Sequence, residues 1–546
     1  MNWTTHQVSN QVPELCDYDL YQTDVALQEA VAREGAGAYV PALREYGALL
    51  GQKSAIDLAS QANSCKPVLD RFDRWGRRVD LVRFHDGWHH FLALAFQQGM
   101  NSGAWFVSGP GAHVARAANY LMHGQIEAGS LCPITMTSAA IPVLRREPWF
   151  DAMAAQLDSR RYDPRDIPAS EKTGMMIGMG MTEKQGGSDL RANTTQAFPL
   201  GQPGRGREYR LVGHKWFFSS PMSDAHLVLA GCGDGFSCFY VPRWRPDGTR
   251  NAVVIQRLKN KMGNASNASA EVEFQDAYGV LAGEPGRGIA TLVEMAMFTR
   301  MDCVLGSAAL LRQALVQAAH HARHRRAFGG ALDSHALMRR VLVDLALESE
   351  AATALSLRLA RTLEPGADDL DRAMGRILVP AAKFWICKRT AQAVAECMEV
   401  WGGNGYIEDG PMPRLYREAP VNSIWEGSGN IMCLDVLRAL EREPDLGRAY
   451  LDALARDCVD DPRLALRAGL LLRALRGPGP ELRSRARYIA QELVLLAQAV
   501  LLLRHAPTRV AQAFLDTRLG EVGAGVFGAG SSACADQDIL ARAWPE

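Results

Sequence analysis

The run YRLVGHKWFFS, Tyr209 to Ser219, interrupts a chain that on either side reads as helix. Its Val, Tyr, Trp and Phe residues favour an extended, pleated backbone. Four more runs of the same character follow between turn residues: AHLVLAG, FSCFYVP, AVVIQRL and AEVEFQD. Met175 to about Gly283 is therefore expected to form a compact all-β insert. From about Tyr21 to Gln156, Ala/Leu-rich text such as ALQEAVAREGAGAYVPALREYGALL predicts mainly helix. After the insert, Gly288 to Arg326 lacks Pro and has only Gly306 as an internal glycine, which predicts one helix of about 60 Å ending at the glycines of FGG. Helices are also predicted over about Ser334 to Leu363, Asp369 to Trp401 and Gly429 to Leu440. Four long helices suggest a bundle that also packs between subunits. The expected fold is mainly α with a central β-barrel or β-sandwich domain, divided as 1–174 helical, 175–284 β, 285–440 helical bundle and 441–546 C-terminal helical.

Composition sets limits on function. The 60 basic and 60 acidic side chains balance, so overall charge favours neither nucleic acid nor membrane. The eleven cysteines include no C-x-x-C pair, which fits free thiols in a reducing cytoplasm better than a disulfide framework. The start MNWTTHQVSNQVPEL lacks the pattern of a signal peptide, and LVLLAQAVLLL from Leu493 is short for a membrane span, so a cytoplasmic protein without membrane contact is expected. His85 with His89, and His320 with His324, have helical ligand spacing but lack a third ligand, so no metal is expected. Locally the charge is uneven. Between Arg463 and Arg518 lie ten arginines, no lysine, and only Glu481, Glu492 and Asp516 as acids. The Gly/Ala/Ser-rich GAGVFGAGSSA near the end is expected to be flexible.

Five segments carry chemistry. GMTEKQGGSD (Gly180 to Asp189) and GHKWFFS (Gly213 to Ser219) offer hydroxyls, glycines that permit close backbone approach, and aromatic walls. RRAFG (Arg325 to Gly329) offers a guanidinium fork for a phosphate. EVWGGNGY (Glu399 to Tyr406) and IWEGSGNI (Ile424 to Ile431) complete the set. In this order, over about 250 residues, they resemble the motifs of the acyl-CoA dehydrogenase flavoproteins. That resemblance implies FAD held by Met179, Gly180, Met181, Thr182, Gly187 and Ser188, and by Phe217, Phe218 and Ser219. It also implies Arg325 and Phe328 in contact with a neighbouring subunit's dinucleotide, and Ile424, Trp425, Gly427, Ser428 and Asn430 around the flavin. Glu399 departs from the family's usual glutamine, and Phe218-Ser219 from its Ile-Thr.

Glu426 stands alone between Trp425 and a Gly-Ser-Gly turn. Removing a proton α to a thioester carbonyl needs a base that is close and poorly solvated, and the resemblance places the family's catalytic glutamate here. As a plain structural residue it would be an acid near a helix start, favourable by about 0.3–1 kcal/mol. GSLCPITMTSAA (Gly129 to Ala140), LYREAPVNSIWEGSGNIMCLDVLR (Leu415 to Arg438) and LDTR (Leu515 to Arg518) further resemble the alkylation-response branch of that family. The branch implies FAD, a homotetramer, weak acyl-CoA dehydrogenase activity, and double-stranded DNA bound without strong sequence specificity, with Arg438 and Arg518 facing it. Arginines alone would also serve as a solvated face or in salt bridges. The rival reading is a metabolic, isovaleryl-CoA-like dehydrogenase whose tail only assembles the oligomer.

Overall fold

The computed structural model describes residues 3–107, 109–233, 235–520, 525–530 and 537–545. The chain packs as two compact units, one of Met1–Ile56 with Cys303–Glu546 and one of Asp57–Asp302. This two-way division cuts across the four segments drawn from composition, because the first helices of the chain pack with the last.

In the Asp57–Asp302 unit, seven strands follow one another: β3 Ile177–Gly180, β4 Gln196–Pro199, β5 Glu208–Ser219, β6 Ala225–Cys232, β7 Gly235–Pro242, β8 Val253–Leu258 and β9 Ser269–Ala282. Their pairings run in a ring, β6 to β4, β5, β9, β7 and back to β6, with β3 beside β6 and β8 beside β9. The β-barrel expectation is met. Strand periodicity builds two cores from one strand. Leu227 and Leu229 of β6 pack with Ile141 and Leu144 of the Leu131–Leu144 helix. Val228 and Ala230 pack with Tyr209, Phe239 and Phe274 inside the ring.

The N-terminal part is mainly helical, as expected, and also carries a hairpin that the helical reading lacks. Val68–Phe72 (β1) and Arg78–Arg83 (β2) form an antiparallel hairpin about Asp73 to Arg77. Its charged, half-exposed strands carry little of the apolar alternation by which strands are read.

In the other unit, the Asp369–Val400 helix packs against Gly429–Arg442 and Ala486–His505. The side chain of Asp368 caps it by accepting from Asp371 N–H. Ala486–His505 has 20 residues, a length and hydropathy that a membrane span also has, but 72% of its apolar window is buried inside the unit. It is a core helix, and the C-terminal region is part of this unit rather than an appendage. The long helix runs from Gly288 to His324, 37 residues or about 55 Å, and only its part from Cys303 on belongs to this unit. It does not end at FGG as expected. Phe328 and Gly329, at φ +52° and +84°, make the turn of a small hairpin between β10 Arg326–Ala327 and β11 Gly330–Ala331. That turn leaves the Phe328 ring 97% exposed. Part of GAGVFGAGSSA, and Cys534, lie outside the described residues.

Candidate active site and cofactor residues

The expected site residues fall in both units, and each group is described within its own. In the strand unit, β3 delivers Met179 and Gly180, and the chain then turns at Glu183, which exchanges backbone hydrogen bonds with Gly186. Beneath the turn, Glu183 and Lys215 pair at 2.7 Å with both side chains fully buried. Glu183 also accepts from Thr194 N–H at 2.7 Å, Thr195 N–H at 3.1 Å and Gln185 Nε2 at 2.8 Å. Burial alone would raise the carboxyl, but Lys215 and these donors outweigh it and hold it at about 2. Burial brings Lys215 down to about 8 against the pull of Glu183. Sequence reasoning singles out neither residue, although both lie within quoted motifs. The pair anchors the turn that presents Thr182, Gly187 and Ser188. Thr182 is half-buried, and Gly187 and Ser188 are exposed. A Cβ on Gly187 would meet Thr182 Oγ1 at 2.6 Å and Cγ2 at 2.9 Å, so any larger residue here must displace the Thr182 side chain. Met181 accepts from Asn193 Nδ2 at 2.8 Å.

On β5, Phe217 and Phe218 part company. Phe217 is 51% exposed, whereas Phe218 is buried and stacks on His226 at 3.8 Å. The β5–β9 register slips between Lys215 and Phe218. This bulge turns both Lys215 and Phe218 inward and Phe217 out. The expectation that both rings form a wall for a ligand is corrected: Phe218 is a core residue. Ser219 is half-buried, with its hydroxyl 3.1 Å from that of Ser269.

In the helical unit, Arg325 donates to the backbone oxygen of Asn10, and Asn10 closes the corner by accepting from Arg326 N–H at 2.9 Å. Glu399 is exposed. Ile424 is exposed, Trp425 and Gly427 are half-buried, and Ser428 and Asn430 stand exposed at the start of Gly429–Arg442. Glu426 is half-buried at φ +59°, followed by Gly427 at φ +108°. For a residue with a side chain the left-handed region costs about 1–2 kcal/mol. Lys383, a buried residue of the Asp369–Val400 helix, offsets that cost by donating to Asn422 O at 2.9 Å and Gly427 O at 2.8 Å. Trp425 Nε1 donates to Asn422 Oδ1 at 2.9 Å and fixes the indole beside Glu426.

The histidine pairs have structural partners. His85 Nδ1 accepts from Gly87 N–H, His89 meets the Tyr162 hydroxyl at 2.8 Å, and His320 meets Pro13 O at 2.9 Å. Among the described residues no group of three or more His, Cys, Asp or Glu side chains is placed to hold a metal.

The arginine-rich stretch divides in two. Arg463, Arg467, Arg485, Arg504, Arg509 and Arg518 pair with carboxylates. Arg473, Arg476, Arg483 and Arg487 are exposed and pair with no carboxylate among the described residues. Arg438 is likewise exposed. Arg518 overturns the expectation made for it. Its side chain is 7% exposed and bonded to Asp344 at 2.5 Å and Glu348 at 2.9 Å, so its charge is spent inside the unit.

Residues 10–164 match the family described as adaptive response protein AidB N-terminal domain, 178–277 the acyl-CoA dehydrogenase middle domain, and 286–441 the acyl-CoA dehydrogenase C-terminal domain. The chain is 49% identical over 531 residues to the Escherichia coli K12 protein AidB, which carries an acyl-CoA dehydrogenase name; the match covers 95% of this chain and 96% of that one. It is 29% identical to acyl-CoA dehydrogenase family member 11 of Caenorhabditis elegans over 72% of this chain and 65% of that one. Two solved structures superpose over most of its length. One is Caenorhabditis elegans ACDH-11 in complex with C11-CoA (TM-score 0.85, 25% identity, 94% of this chain and 93% of that one). The other is Bd2924 in its apo form (TM-score 0.83, 26% identity, 92% and 100%). The close approach at Gly187, the hydroxyls of Thr182 and Ser188 and the outward Phe217 ring fit the polar edge and flat face of a flavin. The chain belongs to the acyl-CoA dehydrogenase family, in its AidB-like branch, and is an FAD-dependent oxidoreductase.

Proposed function

We propose that this flavoprotein desaturates an acyl-CoA at modest rate, with Glu426 as the base, and binds double-stranded DNA as part of a response to alkylation damage. The observation that carries the catalytic half is the Glu426 backbone, held in a strained conformation by buried hydrogen bonds. Strain that the surroundings over-determine belongs to working residues more often than to idle ones. FAD, when bound, supplies the two-electron acceptor. Thr182, Gly187 and Ser188 with Phe217 and Ser219 are the residues proposed to hold it in the strand unit; within the helical unit, Ile424, Trp425, Gly427, Ser428 and Asn430 are the proposed flavin contacts. Arg325 and Phe328 would meet the dinucleotide of a neighbouring copy in a homotetramer. Glu426 takes the α-proton of the thioester, the step that opens α,β-desaturation.

The DNA half is supported by the match of residues 10–164 to the adaptive response protein AidB N-terminal domain and by the exposed Arg438, Arg473, Arg476, Arg483 and Arg487. Arginine holds its charge and forks onto phosphate, so such a face gives salt-dependent binding with little sequence preference. A cytoplasmic setting goes with this reading. One observation favours the metabolic alternative: six of the ten tail arginines are neutralised by carboxylates, as a scaffold would have them.

Anaerobic titration with short, branched and long acyl-CoAs, followed by flavin absorbance, tests the catalytic half. Slow bleaching by one class, lost in Glu426→Gln with FAD retained, is expected. Bleaching that survives Glu426→Gln would remove the glutamate from the reaction. Duplex binding that is absent, or indifferent to salt, would leave the metabolic reading.

A further inference from the structure

We infer that Lys383 is the positioning residue of the active-site glutamate. It pins the loop from Asn422 to Gly427 so that Glu426 stands in the left-handed conformation from which it works. This rests on the reading of Glu426 as the base.

Lys383 is 1% exposed, one of the largest fully buried side chains in the molecule, and pairs with no carboxylate among the described residues. A charge so buried needs partners. Its partners are two backbone oxygens, Asn422 O at 2.9 Å and Gly427 O at 2.8 Å, which bracket Glu426 along the chain. The ammonium therefore closes the neck of the loop as a staple would. Between these points the backbone makes two successive positive-φ residues, Glu426 and Gly427. A loop closed at its neck retains that path, whereas an open one relaxes toward the ordinary region and carries the carboxylate with it. The helix that presents Lys383 is itself fixed in the unit. Arg376, two turns earlier on the same face, meets Asp435 of Gly429–Arg442 at 3.2 Å. Thr390, further along, donates to Ser307 O at 3.2 Å. The helix that carries the anchor is thus tied to its neighbours on both sides of Lys383 along its length. Packing alone would be served by Met at this position, because Met has nearly the length of Lys and no polar atom to satisfy.

The test compares Lys383→Met, Lys383→Gln and Glu426→Gln in the full-length, FAD-loaded protein. Hydrogen exchange reads the loop directly. In Lys383→Met the amides of residues 423–428 are expected to exchange about 10-fold faster or more, with those of the Asp369–Val400 helix unchanged. Stopped-flow bleaching by an acyl-CoA that the unaltered protein accepts is expected to slow by about 100-fold. The concentration for half-maximal rate should stay within about 3-fold, because the group displaced acts on the proton and not on substrate binding. Lys383→Gln, which can still reach one carbonyl, is expected to lie between the two and covers the case in which Met does not fold. Glu426→Gln should lose bleaching while its loop exchanges as slowly as in the unaltered protein. Exchange in 423–428 that stays within twofold in Lys383→Met overturns the inference whatever the kinetics. So does unchanged bleaching in Lys383→Met alongside its loss in Glu426→Gln. Bleaching that persists in Glu426→Gln instead sinks the reading of the base, and the exchange arm still decides whether Lys383 holds the loop.

Discussion

Replacing Arg518 by Met separates an internal arginine from one proposed to meet DNA. Arg518 joins Asp344 at 2.5 Å and Glu348 at 2.9 Å, and both carboxylates are buried. Burial disfavours the Arg518 charge, but the two carboxylates outweigh it and raise its pKa. Without it, Glu348 retains Arg389 at 3.0 Å and Asp344 retains the Gly528 N–H at 2.8 Å. Removing one partner of a buried pair costs about 3–5 kcal/mol, and the remaining contacts argue for the lower end, about 3 kcal/mol. At about 2 °C per kcal/mol, the value for large domains, Tm should fall by about 6 °C. Calorimetry of the FAD-loaded protein measures this. Adding Glu348→Gln should recover part of the loss, because a stranded charge is then removed. In parallel, anisotropy of a labelled duplex across salt concentrations gives the slope of log K against log salt, to which each phosphate contact contributes about 0.9. Arg518→Met should leave that slope unchanged. Arg476→Met should lower it by about 0.9 and leave Tm within about 1 °C. An unaltered Tm in Arg518→Met together with a slope lower by about 0.9 would refute the inward assignment.

Three further outcomes follow from the geometry. Gly187→Ala places a methyl 2.6 Å from Thr182 Oγ1, and FAD retained through gel filtration should drop sharply while the fold persists; full retention would remove this turn from the cofactor site. Lys215→Met strands the buried Glu183, whose other donors soften the loss to about 3 kcal/mol, read as a lower Tm; adding Glu183→Gln should restore most of it. Burial holds His113 and His226 at about 3 and His123 at about 4, so the folded chain refuses protons that the unfolded chain binds near pH 6.5. Stability is therefore lost as pH falls through about 6.5 toward about 4, by up to about 1.4 kcal/mol per pH unit per histidine, and His226→Gln should make Tm less steep across that window. An equally steep profile in His226→Gln would mean that this ring takes up its proton in the folded state.

Much of this is legible in the chain. Strand runs and helix lengths follow from periodicities of two and 3.6 residues, and the five motifs mark the glycines and hydroxyls proposed to surround the cofactor. What escapes is non-local or irregular. The bulge in β5 reverses which of two adjacent phenylalanines faces outward, and no residue in GHKWFFS announces it. Arg518 and its partners are about 170 residues apart in sequence, so a count of local charge assigns it to the surface. The β1–β2 hairpin hides in a run of arginines and aspartates. Lys383 lies in an apolar helical stretch, 39 and 44 residues from the carbonyls it bonds, and reads there as a solvated lysine.

The backbone at Glu426 also bears on how this protein could be improved. Position 426 sits where glycine is at ease and a branched or acidic side chain is not. A library screened for heat tolerance alone would therefore enrich Glu426→Gly, gaining about 1 kcal/mol and discarding the carboxylate. Engineering for durability should hold 426 constant and look to the exposed surface instead, and a catalogue of thermostable variants that had lost colour-bleaching activity would be the signature of having ignored it.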